Sequence, residues 1–340
     1  MSAQPLFTPV RMGDLDLPNR IVMAPLTRMR AGPIDHVPTA LRRPDARSRR
    51  ASAGRCVCVE RRRASSQLCR WSHNLEGYLI MKLRNNTILI TGGASGIGYE
   101  LTKQLTALGN KILITGRDQA KMDRAKAAFP KIHTFQSDVS DPEAIATLYE
   151  EVTKQFPELN ILINNAGIMR KINVHDEAGS LEDITREIEI NLNGPIRMVK
   201  QFLPHLKTKS EAAIMNVSSG LAFVPLPISP VYCATKAGLH SFTESLRVQL
   251  KNTKVKVFDL APPATQTELL GGDFDAEDMK GASIMKVEDM VKIAVKGMQT
   301  DRFEIRPGQA KQLKMMSRLA PGFILKQLSR SVDRMLRTQN

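Results

Sequence analysis

Past residue 81 the chain alternates between short, mainly apolar runs and longer stretches in which apolar residues return every third or fourth position. Runs near 87–91, 111–115, 132–136, 160–164, 212–217, 255–260 and 303–306 have the length of buried strands, as in Ile88, Leu89 and Ile90. Helical stretches lie between them; Leu101, Leu105 and Leu108 repeat at the spacing of one helix face. Buried strands separated by helices predict a parallel sheet covered on both faces. Residues 81–310 therefore read as one doubly wound, Rossmann-type α/β unit with no second domain. The flanks differ. Between about 38 and 71 the hydrophobic period is lost, which predicts a poorly structured N-terminal extension over 1–80 that is not an independent domain. Over 311–340 the chain is amphipathic again, with Leu313, Met316, Phe323, Leu328 and Leu336 among seven basic residues and one acid.

Charge sharpens the boundary near Met81. Residues 1–81 hold fourteen Arg, six acids and no Lys, whereas 82–340 hold 22 Lys and 13 Arg against 28 acids. So complete a switch in basic-residue usage marks two pieces of different origin. The net charge of +15 is thus no argument for a nucleic-acid partner, and the arginine-packed stretch 41–63 reads as a damaged or out-of-frame remnant. Cys56, Cys58, Cys69 and His73 make a poor zinc set, because Cys-x-Cys lacks the spacer that lets both thiolates reach one tetrahedral ion; no metal is expected. Four cysteines in 340 residues do not form a disulfide framework, and Cys233 reads as a small buried side chain. No run approaches the roughly 18 apolar residues of a membrane span, and the first residues lack a signal-peptide pattern. A cytoplasmic protein is expected.

The stretch "NTILITGGASGIGYELTKQLTALGNKILITGRD" runs strand, Gly-rich turn, helix, strand. Gly92, Gly96 and Gly98 let the backbone approach a pyrophosphate, whose charge the following helix N-terminus meets. At the end of the second strand, 24 residues past Gly92, stands Gly116 and then Arg117, where an acid would bind a ribose 2′-OH. A guanidinium suits a 2′-phosphate, so NADP(H) is preferred, with Asp118 keeping NAD(H) open. Tyr232 and Lys236 share one helix face, which places an ammonium near a phenol and predicts that the cation favours phenolate.

Thr91-Gly92-x₃-Gly96-Ile97-Gly98, with "NNAG" (164–167), "NVSS" (216–219) and "YCATK" (232–236), resembles the short-chain dehydrogenase/reductase family over about 87 to 310. The resemblance implies hydride transfer between a nicotinamide cofactor and a carbonyl or alcohol. It implies Tyr232 as acid and base, Lys236 as its activator, Ser219 rather than Ser218 on the substrate oxygen, and Asn191 as a helix-kinking asparagine that holds a water beside the lysine. Cofactor contacts would come from Thr91, Gly92, Ser95, Gly96, Ile97, Gly98, Arg117, Asp138, Val139, Asn165, Ala166, Gly167, Tyr232, Lys236 and Thr267, although Asp138 could equally cap a turn. Pro262-Pro263 stands where the family has Pro-Gly, and with "SRLAPG" in the tail it resembles a bacterial subgroup labelled DltE-like. Apolar walls, 220–230 and the loop with Leu269, Leu270, Phe274, Met279 and Met285, suggest a small hydrophobic ketone or aldehyde.

Residues 6–33 and 50–54 are similar to the opening of the old yellow enzyme family, in which the segment matching Ala24, Pro25, Leu26 and Thr27 lies against FMN. A barrel of that kind takes about 250 residues, so one strand cannot close a flavin site and FMN is not expected. A homo-oligomer is expected. The tail is expected to pack on its own domain or a sister subunit, ahead of a membrane surface. The rival to an enzyme is an NADP(H)-sensing binding protein on the same fold; an intact Tyr232, Lys236, Ser219 and Asn191 set speaks against it.

Overall fold

The computed structural model describes residues 10–12, 15–17, 81–176, 180–269, 273–275, 277–278 and 281–337. The chain divides into two units, Met1–Asn74 and Leu75–Asn340. In the first, β1 (Val10–Met12) pairs antiparallel with β2 (Leu15–Leu17). The arginine-rich stretch, the cysteine set with His73 and the flavin-like strand lie outside the described residues, as do Leu270 and Met279.

In the second unit β3 (Thr87–Thr91), β4 (Lys111–Gly116), β5 (His133–Gln136), β6 (Leu159–Asn164), β7 (Ala212–Val217), β8 (Val255–Leu260) and β9 (Glu304–Ile305) form a seven-stranded sheet in the order β5-β4-β3-β6-β7-β8-β9. Every pairing is parallel. The chain winds outward from β3 to β5, then crosses back to β6 and winds the other way. This reversal opens a crevice above the carboxyl ends of β3 and β6, where such sheets bind ligands.

The central strands β3, β6, β7 and β8 are buried on both faces, which is why they read as continuous apolar runs, whereas the edge strand β5 is only half-buried. Ile88 and Ile90 face one layer, built from Leu101 and Leu105 of α1 (Gly96–Ala107), Met122 of α2 (Gln119–Ala128) and Met290 of α7 (Val287–Gln299). Leu89 faces the other, with Ile145 of α3 (Pro142–Gln155), Phe202 of α5 (Gly194–Lys207) and Leu246 of α6 (Pro230–Gln249). Ile88, Leu89 and Ile90 are wholly buried, each worth roughly 1.5–3 kcal/mol of hydrophobic stabilisation. Helix starts are built locally: Asp118 accepts from Lys121 N ahead of α2, and Asp141 from Glu143 N ahead of α3, with Pro142 opening the first turn.

The tail folds into α8 (Gln309–Leu319), α9 (Pro321–Leu328) and α10 (Arg330–Arg337). It packs on its own domain. A Cβ on Gly220 would lie 3.3 Å from the Ala310 Cβ and 3.2 Å from a Leu313 methyl, so α8 rests on the turn that follows β7.

Candidate active site

Tyr232 and Lys236 sit one turn apart at the start of α6, whose first residue, Pro230, has a fixed φ suited to a helix start. Both are buried. The Lys236 ammonium lies 5.6 Å from the centre of the Tyr232 ring and donates to the Val217 carbonyl at 2.9 Å. Ser219 follows the end of β7; its hydroxyl accepts from Leu221 N at 3.1 Å and lies near enough to the Tyr232 phenol to favour its ionised form. Ser218 is committed elsewhere, donating to Asp259 Oδ1 at 2.5 Å. The two adjacent serines are thus distinguished by direction: Ser219 meets the phenol, Ser218 the sheet.

Asn191 lies in a π-helical turn, Glu189–Asn193, between α4 (Leu181–Ile188) and α5. The wider turn carries one extra residue and re-aims the side chain, as expected of a kinking asparagine. Asn191 Oδ1 accepts from Ile168 N at 2.9 Å and its Nδ2 donates to Ile168 O at 2.8 Å, clamping the segment after β6. Gly167 is pressed into the same spot: a Cβ there would lie 3.0 Å from Asn191 Oδ1 and 3.5 Å from Lys236 Nζ.

Burial pushes the Tyr232 phenol above its ordinary value, opposed by the Ser219 hydroxyl. Burial also brings Lys236 down to about 8, opposed by the carboxylates of Asp259 and Glu187. In both groups desolvation disfavours the charged form. Cys233 is a buried free thiol that accepts from Leu226 N at 3.2 Å; burial raises it to about 11, in keeping with a packing role.

Several charged groups behind the site were not singled out from the sequence. Asp259 is wholly buried on β8 between Ser218 and His240 Nδ1. Its signal was an acid inside the apolar run Val257-Phe258-Asp259-Leu260, which a buried strand tolerates only with partners. Glu187 is also wholly buried; Oε1 accepts from Arg170 N at 3.0 Å while Oε2 has no partner among the described residues, and burial raises its pKa.

Two adjoining cavities share Gly92, Ser95, Ala166 and Gly167. One, of about 490 Å³, also takes in Gly96, Ile97, Asn165, Ser219, Tyr232, Lys236 and Thr267. The other, of about 520 Å³, is bordered by Arg117, Lys121, Asp138 and Val139. Together they make a groove across the crevice between β3 and β6. Gly92 and Gly96 turn with φ of +64° and +51°, a conformation that disfavours side chains. Gly98 borders neither cavity; a Cβ there would fall 2.1 Å from Gly92 O, so its part is to let α1 pack against the turn. Thr91 is likewise indirect, its hydroxyl accepting from Asn165 N and Ala166 N, each at 3.0 Å. A long groove with a glycine turn at its middle, two cations at one end and the Tyr232 phenol at the other fits a dinucleotide.

At the cationic end Arg117 Nη1 stands 3.5 Å from Asp138 Oδ2. Asp138 also does the turn-capping work allowed for it, since Oδ1 accepts from Ser140 N at 2.9 Å and Ser140 Oγ at 2.7 Å. Asp118 is occupied as the cap of α2. Lys121, on the same rim, pairs with Glu268 at 2.6 Å.

Residues 86–278 match the family described as short chain dehydrogenase. The chain is 45% identical over 225 residues to an uncharacterized oxidoreductase, DltE, of Bacillus subtilis, covering 66% of this chain and 89% of that one. It is 28% identical over 200 residues to a fatty acyl-CoA reductase of Acinetobacter baylyi, covering 58% of this chain and 68% of that protein. Among solved structures it is similar to a 3-ketoacyl-(acyl-carrier-protein) reductase from Brucella melitensis complexed with NADH, with a TM-score of 0.60, 28% identity and coverage of 65% and 94%. It shares the fold of a short chain dehydrogenase from Burkholderia cenocepacia in complex with NADP, with a TM-score of 0.63, 24% identity and coverage of 73% and 99%.

Proposed function

The chain belongs to the short-chain dehydrogenase family of hydride-transferring oxidoreductases, and on that premise we propose that it reduces a small hydrophobic ketone or aldehyde, or oxidises the matching alcohol, with NADP(H). The observation that carries the reading is that Tyr232, Ser219 and Lys236, the lysine one turn from the phenol, all line the cavity that the glycine turn borders.

When bound, the reduced nicotinamide supplies the hydride. Ser219 and Tyr232 hydrogen-bond the substrate oxygen and fix the carbonyl carbon for attack. As the carbon accepts the hydride, the C=O π pair moves onto oxygen, which takes the Tyr232 proton; oxidation reverses each movement. A phenol that burial keeps protonated is in the form the reductive direction needs. The phenolate left behind is stabilised by the Lys236 ammonium, which Val217 holds in place. Gly167 lies beside that ammonium, where an added Cβ would come within 3.5 Å of Lys236 Nζ.

Arg117 and Lys121 on the groove rim support NADP(H), because both suit a 2′-phosphate and the nearby Asp118 is spent on a cap. Leu221, Leu226, Phe274, Leu313, Ile324 and Leu328 line the substrate end and support an apolar substrate. The fatty acyl-CoA reductase among the relatives is in keeping with that.

The test is single-turnover reduction by NADPH across a panel of aliphatic and aromatic carbonyls, in the parent and in Tyr232→Phe. The variant keeps the ring and loses the proton, so cofactor binding should survive while reduction slows by about 10²–10⁴-fold. Reduction at the parent rate would remove Tyr232 from the chemistry, and a parent that binds NADPH yet turns over nothing would make the chain a cofactor-binding protein.

A further inference from the structure

The tail helices have two faces with opposite characters. Inward, Leu313 of α8 and Ile324, Gln327 and Leu328 of α9 form part of the cavity wall beyond Tyr232. These positions, three and four apart on α9, fall on one side of the helix. Outward, Lys311, Met315, Arg318 and Leu319 follow one another at intervals of four, three and one along α8, and Phe323 and Lys326 are exposed on α9, the helix that follows. All six are exposed, Met315 to 54%, Leu319 to 74% and Phe323 to 63%. Lys311, Arg318, Lys326 and the following Arg330 make no ion pair among the described residues. Lys314, on the inward side, is by contrast paired with Glu304.

Large apolar side chains left in solvent cost free energy unless something covers them, and the four unpaired cations between them decide what that is. A surface that is apolar below and negatively charged above satisfies both. We propose that the outward strip of α8 and α9 docks on an anionic lipid surface, Phe323, Leu319 and Met315 entering the acyl boundary and Arg318, Lys326, Lys311 and Arg330 meeting the headgroups. Because the same two helices wall the substrate cavity, docking sets that cavity against the layer in which an apolar carbonyl dissolves. The consequence for substrate supply rests on the reading of the site as a reductase of hydrophobic carbonyls; the docking itself does not. No described helix is long and apolar enough to cross a membrane, so this contact is one of surface only.

The experiment is co-sedimentation of the full chain with vesicles of phosphatidylcholine and phosphatidylglycerol, against phosphatidylcholine alone. Binding should require phosphatidylglycerol, weaken in salt, and fall by on the order of tenfold or more in the double variant Arg318→Glu, Lys326→Glu. Leu319→Asp with Phe323→Asp should lose binding as well. Neither pair lines the cavity, so reduction of a water-soluble carbonyl without vesicles should stay at the parent rate in both. Equal binding to neutral vesicles, or none to either, overturns the proposal. So does a parent that is oligomeric in vesicle-free light scattering and becomes monomeric in the Leu319, Phe323 variant, since a second copy then covers the strip. Vesicle binding by a parent that reduces no carbonyl upholds the docking and overturns the enzymatic reading instead.

Discussion

Lys236 donates a hydrogen bond to the Val217 carbonyl, 2.9 Å away, while its nitrogen stands 5.6 Å from the centre of the Tyr232 ring. The cation is anchored to the sheet, so its position relative to the phenol is set by backbone. That anchoring holds a charge in a buried place, and the lysine value falls to about 8 as a result.

A depressed lysine has a definite sign in stability. Between the folded value of about 8 and the ordinary 10.5, the unfolded chain binds more protons than the folded one, so stability rises with pH across that window. Below it the burial cost is fully present. Relative to Lys236→Met, the parent should therefore gain unfolding free energy from pH 8 upward, on the order of 3 kcal/mol when the cost is fully relieved. Paired denaturant melts from neutral pH to pH 10 measure the difference, and a flat difference would mean that the lysine is not desolvated.

Gly98 offers a test of the turn that is independent of charge. An added Cβ would sit 2.1 Å from Gly92 O, a backbone atom that cannot swing aside. Gly98→Ala should displace the start of α1 and abolish cofactor binding by calorimetry, with a loss of stability of about 1–3 kcal/mol from overpacking. Unchanged affinity would show that the turn yields without reaching the groove.

Much of this site was legible because its parts lie in short, ordered stretches. The strands fall within a residue of the apolar runs, as at Val255–Leu260, since strands buried on both faces must be apolar throughout. At His133–Gln136 and Glu304–Ile305 the strand is shorter than its run. Tyr232 and Lys236 were legible from one helical turn. Asp259, His240 and Glu187 were not, because each needs a neighbour from another element: Asp259 meets Ser218 across two strands, and Glu187 looks in sequence like any acid of an amphipathic helix. The tail's inward face was hidden for the same reason, since which side of α9 is covered depends on where the turn after β7 lies.

The division of the chain predicts a clean truncation. Met81 and Leu83 belong to the buried core of the second unit, so a chain beginning at Leu75 keeps them. Such a chain should melt with the parent and reduce an accepted carbonyl at the parent rate. Stoichiometric FMN in the full chain, or lost turnover in the short one, would assign the first residues a part in the activity.

Cofactor choice should hang on Arg117. Its guanidinium stands 3.5 Å from Asp138, a carboxylate held below its ordinary value by Ser140 and by Arg117, despite the opposing effect of burial. A 2′-phosphate entering this rim would gain a charge-assisted pair worth about 1.5–3 kcal/mol. In Arg117→Ala that pair is gone and Asp138 is left facing the phosphate with its negative charge uncompensated. NADPH affinity should therefore fall by on the order of tenfold or more, whereas NADH, which brings only a hydroxyl to the same place, should be spared. Lys121 borders the same cavity, so some preference should survive the single change and disappear in the double variant with Lys121→Ala. Titration of both cofactors into the three proteins decides the matter: equal losses for NADPH and NADH would mean that Arg117 shapes the rim without reading the phosphate.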